Sequence, residues 1–515
     1  MKQRSLCVAL WVLVVVCGLP FGTVAQAAKD RIVVAFGSNI ATLDPHMHSS
    51  RLAHIADYHL YDTLLYRSPN DNYKPGPGLA TSWKSLNPTT WELKLRQGVK
   101  FHNGEPFNAE AVKFTIDRVL DPATKSVTRG NFTWIKEVKV VDDFTVQLLT
   151  AKPFPAAPEF LTLAYIVPPK YLKSIGNDEF SRKPVGTGPY KYVEWKKAEH
   201  LIVEANPDYW KDSPKGMPKV KTIIFRTIPE TTTQIAELLS GGVDIIRNVP
   251  PDQIAVIKES ATARISATKI LRVNSLMLDN SGRASKTPLT NQKVREAIAY
   301  AINVDEMLKT ILGGYAERTA TGVNPLHFGF DPSVKPTPYD PERAKKLLAE
   351  AGYPNGFEIT LNTYSGSITS VDQMADAVTG YLAKVGIKAK RRHIEDVGLW
   401  TKMGQEGKME GMQYYSWGSN SIFDADAILY ALNYSKEPLS YTKDPDLDQL
   451  LDEGRTSIDP KKRQEAYAKA QKLMHDKHYW IPINVQYTIE GVNKKLNYEA
   501  GSDEMMRVYR ASWKD

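Results

Sequence analysis

The 515-residue chain holds only two cysteines, Cys7 and Cys17, both near its N-terminus. Downstream of them no disulfide, thiolate nucleophile or cysteine-ligated metal is available. Long hydrophobic runs are also missing: beyond the apolar residues 8–16, nothing approaches the ~18–20 residues a membrane-spanning helix needs. No lysine/arginine block marks a nucleic-acid surface, because the 66 basic and 58 acidic residues are interspersed, for a net +8. Nucleic acid is therefore not an expected partner. Enzyme signatures fail as well. The sequence has no His-Glu-x-x-His, no Gly-x-Ser-x-Gly, no P-loop and no strand-turn-helix Gly-x-Gly-x-x-Gly. Ser-x-x-Lys occurs at residues 266–269 and 440–443 without a Lys-Thr-Gly partner, so it reads as coincidence.

What is present is an ordinary globular mixture, 42% hydrophobic and 24% charged, too apolar for disorder and long enough for two to four domains at ~100–200 residues each. The first residues read as a secretory signal. Lys2 and Arg4 precede the apolar run, and Ala25-Gln26-Ala27 offers the small residues a signal peptidase requires, placing the cut after Ala27. Cys17 follows Val16, which is not small, so no lipobox is read there. Removing Lys2 and Arg4 takes the charge from +8 to +6 and removes both cysteines. An exported, cysteine-free chain suits a bacterial periplasm.

Patterning predicts mixed α/β domains. Residues 31–36 form an apolar strand, and residues 91–96 and 145–149 alternate apolar and polar. A turn at Asn103-Gly104 leads to a helix capped by Asn108, lined by Val112, Ile116 and Val119 and stopped at Asp121-Pro122. Residues 222–225 predict a buried strand, followed by a helix over 232–239 ending at Gly241-Gly242. The 3–4 spacing of Val294, Ala297, Ile298, Ala301 and Ile302 predicts a helix from near Thr290, in a segment ended by Gly313-Gly314.

Four of the ten histidines, His46, His48, His54 and His59, crowd into one segment. A metal needs three or four ligands converging at ~2.0–2.1 Å, and this spacing does not force convergence. Solvated or singly hydrogen-bonded imidazoles are expected, so no metal and no cofactor is assigned. A bound metal, or a ligand met by His48 alone, is the open alternative.

Four segments in fixed order resemble the bacterial family-5 extracellular solute-binding proteins, the dipeptide- and oligopeptide-binding receptors of ABC importers. They are residues 95–112, centred on Phe101-His102-Asn103-Gly104; Pro184 to Tyr190 with Asn206-Pro207-Asp208-Tyr209-Trp210; residues 294–302; and Tyr339-Asp340-Pro341-Glu342-Arg343 with Ala351-Gly352-Tyr353. The residues of these motifs read mainly as scaffold. The resemblance implies an α/β, two-lobed periplasmic-binding-protein fold with a hinge and an additional domain inserted in the first lobe. After a signal peptide of residues 1–27, lobe I would comprise 28–60, 177–277 and 487–515, the inserted domain 61–176, and lobe III 278–486.

In peptide-binding relatives a Trp-x-x-Asp stretch lines the cleft and its acid holds the ligand's ammonium. The match here is Trp417-Gly418-Ser419-Asn420, with a neutral amide in place of the acid. Asp424 or Asp426 could supply the missing charge, or brace the following helix; alternatively the ligand carries no free ammonium. Tyr414, Tyr415 and Trp417 offer aromatic surfaces, with Trp400 as a further wall and Met47 and His48 as the opposite lobe's candidates. The resemblance implies a monomeric, non-enzymatic periplasmic receptor that delivers a peptide or peptide-like solute to an ABC permease. An opine or sugar conjugate, an oligosaccharide or a metal chelate is the alternative ligand. A secreted hydrolase using Asp424 and Asp426 is the rival from another class, and a periplasmic chaperone or sensory partner is a third reading.

Overall fold

A computed structural model describes residues 30–365, 368–418 and 422–514. Its central sheet runs, edge to edge, through Ile387–Ile394, Phe357–Tyr364, Met412–Trp417, Ala263–Leu278, Trp480–Asn493, Ile245–Ile246, Arg31–Phe36, Thr222–Thr227, His200–Ala205 and Tyr190–Lys196. Ala316–Arg318 adds to Trp480–Asn493 outside this path. Each half contains a parallel pair, and the edge at Tyr190–Lys196 is antiparallel. Arg31–Phe36 lies parallel to Thr222–Thr227, and Phe357–Tyr364 lies parallel to Ile387–Ile394. Between them the two long strands Ala263–Leu278 and Trp480–Asn493 pair antiparallel, with a register shift between Lys269 and Val273.

Burial divides around that shift. One core gathers Leu276, Ile298, Leu361, Met412, Tyr414, Tyr467 and Ile483. A second gathers Ile32, Val34, Phe225, Ile245, Val492 and Tyr509. The molecule is therefore two lobes sharing one sheet, joined where the long strands change register. A third core belongs to an inserted unit, the antiparallel sheet Ala80–Asn87, Thr90–Leu95, Thr145–Thr150, Ile135–Asp142 and the helix Ala109–Leu120. The periodicity explains that packing: Leu93 and Leu95 on the strand and Val112, Ile116 and Val119 on the helix are buried. Asn108 caps the helix by accepting the Ala111 N–H at 3.2 Å, and Asp121-Pro122 ends it.

The segment starting near Thr290 forms two helices, Gln292–Ala301 and Val304–Ile311. Ile302 is extended and the Asn303 side chain accepts the Glu306 N–H at 3.2 Å, so a second N-cap interrupts the apolar periodicity. Among the described residues no helix is long and apolar enough to cross a membrane.

The first two hallmark segments meet in space, and the last two meet each other in lobe III, where Arg343 pairs with Glu296 at 2.8 Å. His102 Nε2 lies 3.0 Å from the Gly188 carbonyl, and the Gly186 N–H donates to His102 Nδ1 at 3.3 Å. The Thr187 and Tyr209 hydroxyls and the Trp210 indole all donate to the buried Asp62 carboxylate, at 3.1, 3.0 and 3.0 Å, and Lys215 pairs with it at 2.9 Å. Gly188 is required by close approach: a Cβ there would stand 2.5 Å from the His59 carbonyl oxygen and 2.6 Å from the Tyr61 nitrogen.

Candidate functional site

The seam between the lobes is closed by contacts from both sides. Tyr73 stacks on Phe423 at 5.3 Å, Arg67 lies over the same ring at 4.9 Å, and Phe154 and Phe160 share an apolar cluster with Ile422 and Ala427. At the register shift lies a charged group of three lobe I residues. Arg272 Nη2 lies 3.1 and 3.4 Å from the two carboxylate oxygens of Glu504, and Arg51 Nη2 lies 3.5 Å from Glu504 Oε1. Arg272 comes from a long strand, Arg51 opens the helix Arg51–Leu60, and Glu504 sits in the C-terminal loop.

Glu504 is held in place by its own strained turn. Its φ is +65°, a conformation that costs a non-glycine residue on the order of 1 kcal/mol. The loop around it is fastened by the Leu271 N–H to the Ser502 carbonyl at 3.1 Å, the Ser502 N–H to the Tyr73 hydroxyl at 2.8 Å, and Arg507 to Asp503 at 2.6 and 2.7 Å. Burial alone would raise the Glu504 carboxyl, but the guanidiniums of Arg272 and Arg51 outweigh it and hold it below the ordinary glutamate range. It is a fixed negative charge at neutral pH.

Gly418 packs directly on this pair. A Cβ on Gly418 would meet Glu504 Oε1 at 2.6 Å and Arg272 Nη2 at 3.1 Å, so a side chain there would displace the pair. Preceding it, Trp417 is half-buried, stacks on Tyr415 at 6.1 Å and donates its indole N–H to the Ala427 carbonyl at 3.1 Å. Tyr415 continues to Trp400 at 6.0 Å, and Trp400 stacks on Tyr364 at 4.5 Å. An aromatic row thus runs from the half-buried Trp417 into the lobe III core. Burial pushes the Tyr415 hydroxyl upward, so it stays protonated.

The other predicted site residues fall in distinct places. Ser419 and Asn420 lie outside the described residues. Tyr414 is wholly buried in the lobe III core. Asp424 receives Arg463 Nη2 at 2.9 Å on both oxygens and accepts the Asp426 N–H at 3.0 Å; Asp426 faces Tyr467 at 3.4 Å and Arg455 at 3.7 Å. Both acids brace the helix Asp426–Asn433. Met47 is half-buried behind the Asp44 turn, and His48 is buried against Asp57 at 3.0 Å. Gly418 lies against the Glu504–Arg272 pair with Trp417 next to it in sequence, whereas Trp400 is buried in the lobe III core. Arg272, Arg51 and Glu504 escaped sequence reading, although Arg272 interrupting the apolar run Ile270 to Val273 was a signal.

Two lobes on one sheet, joined by paired strands with charges and aromatics at the seam, define a two-lobed solute-binding protein. The chain belongs to the bacterial extracellular solute-binding proteins, family 5, whose profile matches residues 74–439. It is 31% identical over 483 residues to the glutathione-binding protein GsiB of Escherichia coli K12, covering 92% of each chain. It superposes with a TM-score of 0.81 and 27% identity on the ABC transporter-associated periplasmic binding protein DppA from Helicobacter pylori in complex with the peptide STSA, over 96% of this chain and 100% of that one. A dipeptide-binding protein from Pseudoalteromonas in complex with Met-Leu shares the fold, at a TM-score of 0.82 and 22% identity, over 94% of this chain and 100% of that one. Proteins of this family are the solute-binding components of ABC importers.

Proposed function

We propose that the chain captures a short peptide of net negative charge, of the glutathione class, between its lobes and presents it to an ABC permease. The observation that carries this is Glu504 fixed between Arg272 and Arg51 beside Gly418. The sequence match lacks an acid at Asn420, and Asp424 is engaged by Arg463. Glu504 is then the acid for a ligand ammonium, and the two guanidiniums are the partners for carboxylates. The carboxylates of a glutathione-like peptide match the guanidiniums grouped around Glu504, to which Arg247 also contributes. The 31% identity to glutathione-binding relatives supports the same class.

The lobes are those delimited by residues 28–60, 177–277 and 487–515 against 278–486, hinged where Lys269 and Val273 change register. A ligand that touches both lobes only when they close binds the closed form more tightly, and that difference in affinity draws the lobes together. The chain works as an exported monomer, cut after Ala27, and as a receptor rather than a hydrolase. Arg463 occupies both oxygens of Asp424, and Asp424 and Asp426 brace one helix, which supports a structural role for the pair although burial raises Asp424 to about 6. The test is a thermal-shift panel on ligand-stripped chain, comparing glutathione, neutral dipeptides, N-acetylated glutathione and an opine. The reading requires the largest upward shift from glutathione and a smaller one after N-acetylation. Equal shifts from glutathione and a neutral dipeptide would remove the charge argument.

A further inference from the structure

The crowded histidines divide into three separate environments. His46 Nε2 faces the Tyr165 carbonyl at 3.0 Å and its Nδ1 faces Arg118 at 2.7 Å. His59 Nδ1 faces the Ile55 carbonyl at 2.7 Å and its Nε2 accepts the Tyr509 N–H at 3.2 Å. His48 and His54 instead turn to one carboxylate. His48 Nε2 is 3.0 Å and His54 Nδ1 is 3.5 Å from the same oxygen, Asp57 Oδ2. The three donor atoms lie within 4.8 Å of one another. His54 and Asp57 share a helix face through their i, i+3 spacing, and His48 reaches in from the preceding loop.

Asp57 is 0% exposed and His48 is 5% exposed, yet both carboxylate oxygens, both His48 nitrogens and His54 Nδ1 are buried without a well-formed hydrogen bond. A proton shared with Oδ2 serves one imidazole and leaves Oδ1 and the second ring unsatisfied. A single cation engages one donor atom from each of the three residues at once. For metal–ligand bonds of ~2.0–2.1 Å, tetrahedral donors stand about 3.3–3.4 Å apart, and the observed 3.0 and 3.5 Å separations bracket that edge. Arg51, the neighbouring cation, reaches towards Glu504.

We propose that His48, His54 and Asp57 form a binding site for a divalent transition-metal ion of the zinc class. Two imidazoles and one carboxylate suit Zn²⁺, Co²⁺ or Ni²⁺ over the all-oxygen cations Ca²⁺ and Mg²⁺, with water at the open position. The site lies within lobe I and does not depend on which solute fills the cleft. Its role is to fasten the loop carrying Met47 and His48 to the helix that begins at Arg51.

The test uses the untagged chain, stripped with EDTA and equilibrated with ZnCl₂ or CoCl₂ in a non-chelating buffer. Metal is counted by mass spectrometry after gel filtration, and Co²⁺ is followed by its visible absorption. The site predicts one equivalent of Zn²⁺, a tetrahedral Co²⁺ band, and loss of both in His54→Gln and Asp57→Asn. The surface variant His393→Gln keeps them. His54 is the least buried of the three residues, so His54→Gln folds even if Asp57→Asn does not, and circular dichroism confirms it. Retention of less than a tenth of an equivalent by the parent chain overturns the site. So does undiminished binding in a folded His54→Gln.

Discussion

Replacing Glu504 by glutamine removes one charge and almost no volume. In the parent chain Glu504 neutralises Arg272 at 3.1 and 3.4 Å and Arg51 at 3.5 Å while nearly buried. The variant leaves two guanidiniums facing a neutral amide. Removing one partner of a buried pair costs about 3–5 kcal/mol, and the amide oxygen's remaining hydrogen bonds recover part of that. An apo-state loss of about 2–3 kcal/mol is therefore expected in urea unfolding. For ligand, a charge-assisted hydrogen bond to the ammonium is worth about 1.5–3 kcal/mol, so glutathione should bind roughly 10- to 150-fold more weakly to Glu504→Gln. N-acetylated glutathione has no ammonium, so its already weaker affinity should change by less than about threefold. Isothermal titration of both ligands against both chains separates the contributions. If the variant binds free glutathione as tightly as the parent, Glu504 is not the ammonium partner. Equal weakening of both ligands would instead place its effect in the fold of the loop.

Three further outcomes follow from the scaffold. Asp62→Asn leaves Lys215 buried without its 2.9 Å partner while three donors still converge there, and should destabilise by about 3 kcal/mol in denaturant unfolding; a loss below about 1 kcal/mol would contradict the role given to that knot. Gly188→Ala drives a Cβ to 2.5 Å from backbone at His59, and the soluble yield should collapse, whereas Gly380→Ala, with nothing near its Cβ, should be tolerated. His102, neutral between Gly186 and Gly188, is held down to about 4 by burial. Above pH ~6.5 neither state is protonated there; between about 6.5 and 4 only the unfolded chain takes the proton, so stability falls as pH falls. The parent should lose about 2–3 kcal/mol more than His102→Gln between about pH 7 and 4.5, and equal losses would contradict it.

Local chemistry was legible and long-range pairing was not. Asn103-Gly104 and Asn108 specify a turn and a cap within a few residues, and both form. The alternation around Leu93 and the apolar stripe of Val112, Ile116 and Val119 bury as their periods require. Asn303 shows where period misleads, since a capping side chain splits the run that Ala301 and Ile302 would extend. The hallmark motifs could be recognised but not explained until Asp62, far from them in sequence, was seen to collect Thr187, Tyr209 and Trp210. The same limit hid the site. Arg272 and Glu504 are separated by 232 residues and Asp424 and Arg463 by 39, so no local pattern told which acid would pair with which arginine. The four histidines had one spacing and three environments, decided by Tyr165, Tyr509 and Asp57.

A receptor of this kind holds a small anionic peptide between its lobes and returns it unaltered. The most direct measurement is calorimetric titration of ligand-stripped chain with glutathione, followed by mass spectrometry of the ligand released on unfolding. One saturable site per chain and recovery of intact glutathione are expected. Absence of binding by glutathione and other short acidic peptides, or recovery of cleaved product, would contradict it.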